Sequence, residues 1–208
     1  MCLPEEKMGH SLRACSGFGA GLAGLRLTCG ALLGAALSLG FLLPYPASLL
    51  GVTMLKRQFE AYFGNSLCRE LVGSLDWHPY TIKKFIKRKH ICLEIVDKTA
   101  AWVNILRQMP IMLNTPPSFP CFIPHLLPPW LQQAAKVYEG GLAYTGDICG
   151  ILIVKIMDIG LRQGGESGIL LPLKNLRAML KSHSTAFIFR RKAGDFCCKN
   201  IKKCLHIF

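Results

Sequence analysis

The feature that most constrains this chain is a long stretch without charge, residues 27–55, which lies between Arg26 and Lys56. An uncharged segment of this length is buried either in a bilayer or inside a packed protein. Pro44 and Pro46 divide the stretch, so it predicts two segments rather than one continuous helix. Two interpretations follow: residues 27–55 form a membrane anchor, or they form a buried helix and a turn in a helical bundle.

The other patterns along the chain are mostly helical, and alternating β patterns are few. Residues 4–14 open with a proline and two glutamates, which suit a first helical turn. Residues 50–63 carry apolar side chains at helical spacing, and residues 90–109 form an amphipathic pattern. We therefore predict an all-α fold, built as a helical bundle. The side of the 90–109 helix that we expect to be buried carries Ile91, Ile95, Ala101, Trp102 and Ile105.

An internal repeat suggests two related units in tandem. An offset of 120 residues places Cys29 on Cys149 within similar glycine-rich and apolar surroundings, and an offset of 130 places Cys68 on Cys198. Seven prolines between residues 109 and 130 predict a linker. The predicted organisation is a first helical unit, a linker and a second, truncated or degenerate copy, over residues 1–108, 109–129 and 130–208.

The charge of the chain and the motifs that it lacks bear on its class of function. The formal net charge is +13, and the excess is spread over both halves of the chain. We interpret this excess as a solvated basic surface, although it could also favour acidic partners or a membrane. No nucleic-acid-binding motif is present, so no nucleic acid partner is expected. No Ser/His/Asp set or paired carboxylates point to a hydrolase.

Ten cysteines are many for a chain of 208 residues. The first ten residues do not resemble a signal peptide, so we expect a cytoplasmic location, with a membrane location as the alternative. Structural disulfides are then not the default explanation for the cysteines. Metal binding, redox chemistry and simple burial remain as explanations.

Three features in the first half carry a resemblance to a known family. A glycine-rich turn precedes the sequence CGALLG, which begins at Cys29; a second cysteine, Cys68, precedes a basic residue; and a third, Cys92, opens an amphipathic helix. Together these features resemble the C_GCAxxG_C_C family, which has a CGAxxG motif and further spaced cysteines and is described as redox-active. The resemblance extends from about residue 4 to residue 106.

The resemblance implies a redox-active cysteine protein with an unknown redox partner. Its chemistry would be thiol–disulfide exchange, or electron transfer through an iron–sulfur cluster that cysteines ligate. Cys29, Cys68 and Cys92 would be the catalytic or metal-ligating residues, and Cys149 and Cys198 their weakened, cofactor-binding counterparts. The alternatives are a small membrane-anchored protein without catalysis and a degenerate, purely structural copy of the family. A homodimer, or the second unit, would supply any missing ligand.

The family's first cysteine is expected on a helix upstream of the glycine-rich turn. On this interpretation the chain begins too late to contain that helix. The nearest candidates are then Cys2 in the first unit and Cys121 in the second. Four cysteines are interpreted as small apolar side chains, namely Cys2 itself, Cys15, Cys197 and Cys204.

The surroundings of the motif predict how its cysteines behave. Cys29 lies at the start of a helix, where the helix dipole favours a thiolate and lowers the thiol pKa. Arg69 is expected to act in the same direction on Cys68. The small residues of the motif are expected to form a low ridge that lets another helix approach closely; they are Gly30, Ala31 and Gly34.

Overall fold

The computed structural model describes residues 5–73, 89–108, 124–165 and 171–201. Within these ranges the chain is helical, and extended pairing is limited to two isolated bridges. The predicted all-α fold is therefore confirmed. Short 3₁₀ turns lie between some of the helices. The helices are α1 Glu5–Cys15, α2 Gly30–Leu42, α3 Ala47–Phe63, α4 Cys68–Val72, α5 Lys89–Leu106, α6 Pro129–Ala135, α7 Gly150–Gln163 and α8 Leu171–Ala193.

Prolines divide the long uncharged stretch, as its sequence predicts. Helix α2 ends two residues before Pro44, and α3 begins directly after Pro46. Helix α3 starts earlier than the predicted residue 50, because the amide of Leu49 donates a 3.0 Å hydrogen bond to the carbonyl of Pro46 and so closes a turn there. No helix in the described ranges combines the length and the apolar character needed to cross a bilayer.

Helix α5 buries a different side from the one predicted. Ile95 and Trp102 are buried, as expected, but Ala101 is exposed and Ile105 is 58% exposed. The reason is that the ring of Trp102 packs against aromatic rings of α3, and this contact fixes the rotation of the helix. The side that is buried carries Ile95, Thr99, Trp102, Val103 and Leu106.

The same backbone hydrogen bonds occur in both halves of the chain. The amide of Cys29 donates to the carbonyl of Ser66 at 2.8 Å, and the amide of Cys149 donates to the carbonyl of Phe196 at the same distance. These bonds agree with the offsets found in the sequence, whereas descent of the two halves from a duplication stays a prediction. The isolated bridges recur in the same way, as Thr28–Leu67 and Ile148–Cys197.

The first helix of each half packs on a helix of the other half. Helix α1 packs on α7, and α6, which occupies the corresponding place in the second half, packs on α2. Gly40 lies so close to the carbonyl of Ala134 that a side chain has no room. Gly160 lies in the same way against the carbonyl of Ala14. One hydrophobic core therefore contains residues from both halves.

Some predicted segments lie wholly or mostly outside the described residues. These are the basic segment 78–90, of which only the last two residues are described, and the proline-rich segment up to residue 123. At the end of the predicted linker, Leu127 is 3% exposed and belongs to the shared core. Helix α6 begins at Pro129, which suits a first helical position because proline has no amide hydrogen to leave unpaired.

Candidate functional site

A glycine-rich turn between α1 and α2 forms the floor of the candidate site. Ala20, Leu22 and Ala23 have φ values of 50–55°, in the left-handed region that residues other than glycine seldom adopt. Gly21 has φ 74°, and a Cβ there would lie 2.5 Å from the Cβ of Cys68. Only glycine fits this position, both for its backbone conformation and for the close approach of Cys68.

Two of the predicted cysteines are held by the bridge between the turn and the chain before α4. Cys29 is the N-cap residue of α2, and the amide of Cys68 donates a 2.8 Å hydrogen bond to the carbonyl of Leu27. Both thiols are largely buried. Because backbone hydrogen bonds fix both residues, their side chains face the same place with little freedom.

Four cysteines line one cavity of about 340 Å³. Cys29, Cys68 and Cys92, the three that the resemblance indicates, are joined by Cys15. They come from four different elements: the ends of α1 and of the turn, the start of α4 and the first part of α5. The rest of the lining consists of glycine and apolar residues, among them Phe18, Ala31, Gly34, Val72 and Ile95.

The first half of the chain matches a family model described as "Putative redox-active protein (C_GCAxxG_C_C)", over residues 3–106. All four cavity cysteines fall within the match. The chain belongs to the C_GCAxxG_C_C family. Searches of the curated proteins and of the solved structures each gave no significant match.

Burial dominates the electrostatics of this family member's cavity thiols. It raises the pKa of Cys15 to about 12 and that of Cys68 to about 11, and it also raises the pKa of Cys29 and of Cys92. The cause is the same throughout: an apolar cavity disfavours the charged thiolate. The raised pKa values therefore favour the protonated thiol at all four cysteines.

The dipole prediction for Cys29 is wrong in its net effect. The amides of Ala31 and Leu32 at the start of α2 do lower the pKa of Cys29, but desolvation by burial raises it further. Charge on the neighbouring thiols raises these pKa values further. A negative charge on Cys92 would raise the pKa of Cys29, and one on Cys29 would raise the pKa of Cys68.

Arg26 is the cation that acts on the cavity thiols, in place of the predicted Arg69. Desolvation and then the charge of Cys29 are the largest causes of the raised pKa of Cys68. The guanidinium of Arg26 opposes them through its charge and a hydrogen bond, and its charge also lowers the pKa of Cys92. The guanidinium also donates to the carbonyl of Gly73. Arg69 is exposed and pairs with a neighbouring glutamate at 3.2 Å.

The motif glycines serve two different purposes. Gly30 gives the close approach that the sequence predicts, because a Cβ there would collide with the carbonyl of Phe18. A Cβ at Gly34 would meet nothing within 4 Å, and Gly34 instead lines the cavity. The closest approach to another helix in α2 lies outside the motif, at Gly40.

Cys15 is the cavity residue that the sequence interpretation missed. Helix α1 is itself the helix upstream of the glycine-rich turn, and Cys15 is its last residue. The signal was present in the sequence, since Cys15 lies two residues before the first glycine of that turn. Cys2, the candidate chosen instead, lies outside the described residues, as do Cys121 and Cys204.

The cavity does not present a ready site for a single metal ion. Among the residues that the structure describes, no three His, Cys, Asp or Glu side chains are placed to hold one ion. A [4Fe–4S] cluster makes a different demand, because each of its four thiolates binds a different iron atom and the sulfurs stand farther apart than the ligands of one ion. The metal-ligating role of Cys29, Cys68 and Cys92 stays a prediction.

In the second half, Cys149 and Cys198 lie together, as their counterparts do. Their thiols hydrogen-bond to each other, which raises the pKa of Cys149 and lowers that of Cys198. Their cofactor-binding role stays a prediction. Cys197 is adjacent in sequence but lines a separate cavity of about 190 Å³, where it faces Leu67 and other residues of the first half.

Proposed function

We propose that this member of the C_GCAxxG_C_C family holds an iron–sulfur cluster in the four-cysteine cavity and transfers single electrons through it. The observation that supports the proposal is the convergence of four thiols, from four separate elements, on one cavity whose other lining is apolar. Four cysteine thiolates are the usual ligands of [2Fe–2S] and [4Fe–4S] clusters.

The size of the cavity suits a cluster better than a single ion. Its volume of about 340 Å³ is roughly ten times the share of liquid volume that one water molecule occupies, about 30 Å³. The cavity thiols influence one another's pKa through charge, whereas a hydrogen bond is the main influence of Cys198 on the pKa of Cys149. Thiols arranged around a space, rather than against each other, favour an occupant between them over a direct disulfide.

The chain's own residues supply what a cluster needs beyond its ligands. Metal coordination would deprotonate thiols that burial keeps protonated, so loading releases protons. The charge of Arg26 offsets part of the resulting negative charge at Cys68 and Cys92. The amides of Ala31 and Leu32 at the start of α2 lower the pKa of Cys29 and so favour its thiolate. Hydrogen bonds and positive charge near the sulfurs raise the reduction potential of a cluster.

The first half supplies four thiols by itself, because Cys15 completes the set of Cys29, Cys68 and Cys92. A homodimer is therefore not required for the ligand set. The proposal includes a cytoplasmic location, where a reducing environment keeps thiols available. Cell fractionation tests the location, and light scattering of the loaded protein tests whether it is a monomer.

The experiment is anaerobic reconstitution of the full chain with iron and sulfide. We expect a brown protein whose visible absorption is bleached by dithionite and whose iron and acid-labile sulfide contents are equal. Cys29→Ala and Cys15→Ala should each lose most of the bound iron. The matched control is Cys197→Ala, which removes a thiol outside the cavity and should bind as much iron as the wild type.

A colourless protein with no bound iron after reconstitution would overturn the proposal, provided that circular dichroism shows a folded chain. Equal iron binding by Cys15→Ala and the wild type would contradict the part of the proposal that concerns Cys15. In that case the ligands would be the three cysteines that the resemblance indicates, and a fourth ligand would come from elsewhere.

A further inference from the structure

The second bridge holds Cys149 and Cys198 as neighbours across the backbone pairing. The amide of Cys149 donates to the carbonyl of Phe196 at 2.8 Å, and the amide of Cys198 donates to the carbonyl of Asp147 at 2.6 Å. In such an antiparallel pairing, Cys149 and Cys198 lie diagonally on one face, while Cys197 faces the opposite way. The interaction between the two thiols raises the pKa of Cys149 and lowers that of Cys198.

The two thiols differ in their access to solvent. Cys149 is the N-cap residue of α7 and is 5% exposed, whereas Cys198 is only half-buried. Thiol–disulfide exchange uses this kind of asymmetry, in which an accessible sulfur attacks first and a protected sulfur resolves the mixed disulfide. The hydrogen bond from Cys149 favours the thiolate at Cys198, the sulfur that solvent reaches.

The features that suit the first half to a cluster are replaced in the second. Ala135 stands at the position that corresponds to Cys15, and Gly146 stands where the first half has Arg26. Ile151 and Val154 replace Ala31 and Gly34, the small residues that line the cavity, and both larger side chains are buried. The second half therefore presents two neighbouring thiols on one face of a bridge rather than several thiols around a space.

We propose that Cys149 and Cys198 form a second redox site, a dithiol that becomes a disulfide by exchange with small-molecule disulfides. The site is separate from the four-cysteine cavity and carries electron pairs rather than single electrons. It does not depend on the proposed cluster, because none of its atoms belongs to a cavity residue.

The exchange is balanced in two steps. The thiolate of Cys198 attacks one sulfur of a disulfide RSSR, so a mixed disulfide forms at Cys198 and RS⁻ leaves and takes up the proton that Cys198 released. The sulfur of Cys149 then attacks the sulfur of Cys198 and loses its own proton to the second departing RS⁻. The net reaction converts one RSSR and two protein thiols into two RSH and the Cys149–Cys198 disulfide.

The test uses glutathione disulfide as the probe and the full chain as the sample. After incubation and an acid quench, free thiols are alkylated, and mass spectrometry of peptides maps every disulfide. We expect one internal disulfide, Cys149–Cys198, which reduced glutathione reverses. Cys197→Ser, the adjacent cysteine on the opposite face, should form the same bond to the same extent.

Cys149→Ser is the variant that separates the two steps. Serine is a favourable N-cap residue, so this variant is expected to fold. Without the resolving sulfur, glutathione should remain attached to Cys198, at a level at least about tenfold above that in the wild type. Full alkylation of both cysteines after treatment with glutathione disulfide, or pairing of Cys198 with any other cysteine in the wild type, would overturn the proposal.

Discussion

The rings of Phe18 and Tyr138 meet edge to face, with their centroids 6.2 Å apart. These residues are 120 positions apart in the sequence, which is the offset between the two similar halves. The contact lies inside the hydrophobic core that residues of both halves share.

Tyr138 also joins the two halves through a hydrogen bond, whose contribution to stability can be measured. Its buried hydroxyl donates a 2.8 Å hydrogen bond to the carbonyl of Leu33 in α2. Tyr138→Phe removes only this bond, and we expect the free energy of unfolding to fall by about 1 kcal/mol. Chemical denaturation measures it. Tyr62→Phe is the control, because Tyr62 is 54% exposed, and an equal loss in both variants would contradict the prediction.

Gly40 and Gly34 form a matched pair on α2. Gly40→Ala places a methyl group against the carbonyl of Ala134, and we expect a loss of about 1–3 kcal/mol in the free energy of unfolding. Gly34→Ala meets nothing within 4 Å and should stabilise the apo-protein by up to about 1 kcal/mol through helix propensity. Denaturant midpoints compare the two variants, and shifts of the same sign would show that the helix contact is wrong.

The raised pKa of Cys68 predicts a loss of stability at alkaline pH. The thiol ionises near pH 9 when unfolded and near pH 11 when folded, so its contribution is complete below pH 9 and is lost as the pH rises to 11. From this thiol alone the free energy of unfolding should fall by up to about 1.4 kcal/mol per pH unit in that window. Cys68→Ala should lessen the slope measured by denaturation of the apo-protein.

The control for this slope is Val72→Ala, which shortens an apolar side chain of the same cavity. It should lower the free energy of unfolding by a similar amount at every pH, because no titrating group is removed. If Cys68→Ala and Val72→Ala show the same slope between pH 9 and 11, the thiol of Cys68 is not the group responsible.

Arg26 offers a test of the charge beside the cavity. Arg26→Gln keeps a hydrogen-bonding side chain but removes the charge that lowers the pKa of Cys68 and Cys92. The pKa of Cys92 should rise, so its alkylation at pH 9 should slow. Arg69→Ala should leave that rate unchanged, because Arg69 is exposed and paired with Glu70. The opposite ranking of the two variants would contradict the assignment of this charge to Arg26.

Much of the helical framework follows from local sequence signals. Pro44 and Pro46 divide the uncharged stretch. Gly64 ends α3 with φ 81°, and its amide donates a 2.9 Å hydrogen bond to the carbonyl of Glu60. The family resemblance singles out three cysteines that share the cavity, whereas their chemical role stays a prediction. The motif and its spacing, rather than hydropathy, indicated this convergence.

What could not be predicted depends on contacts between distant residues. Helical spacing gave α5 an apolar side, but the packing of Trp102 on α3 decided that Ile105 is exposed. Position at a helix start gave Cys29 a favourable dipole, but the depth of burial decided the direction of its pKa shift. Arg26 itself has φ 58° within the left-handed turn. The path of this turn, which brings the side chain of Arg26 to Cys68, is not visible in the sequence.

The crossing of the two halves has a consequence for the position of Cys15. The carbonyls of Arg13 and Ala14, just before this cysteine, rest on Gly160 of α7, in the half of the chain that lies beyond the family match. A larger residue at Gly160 would push the end of α1, and Cys15 with it, away from its three companions. The packing of α1 on the second half thus helps to fix the position of the fourth thiol in the cavity.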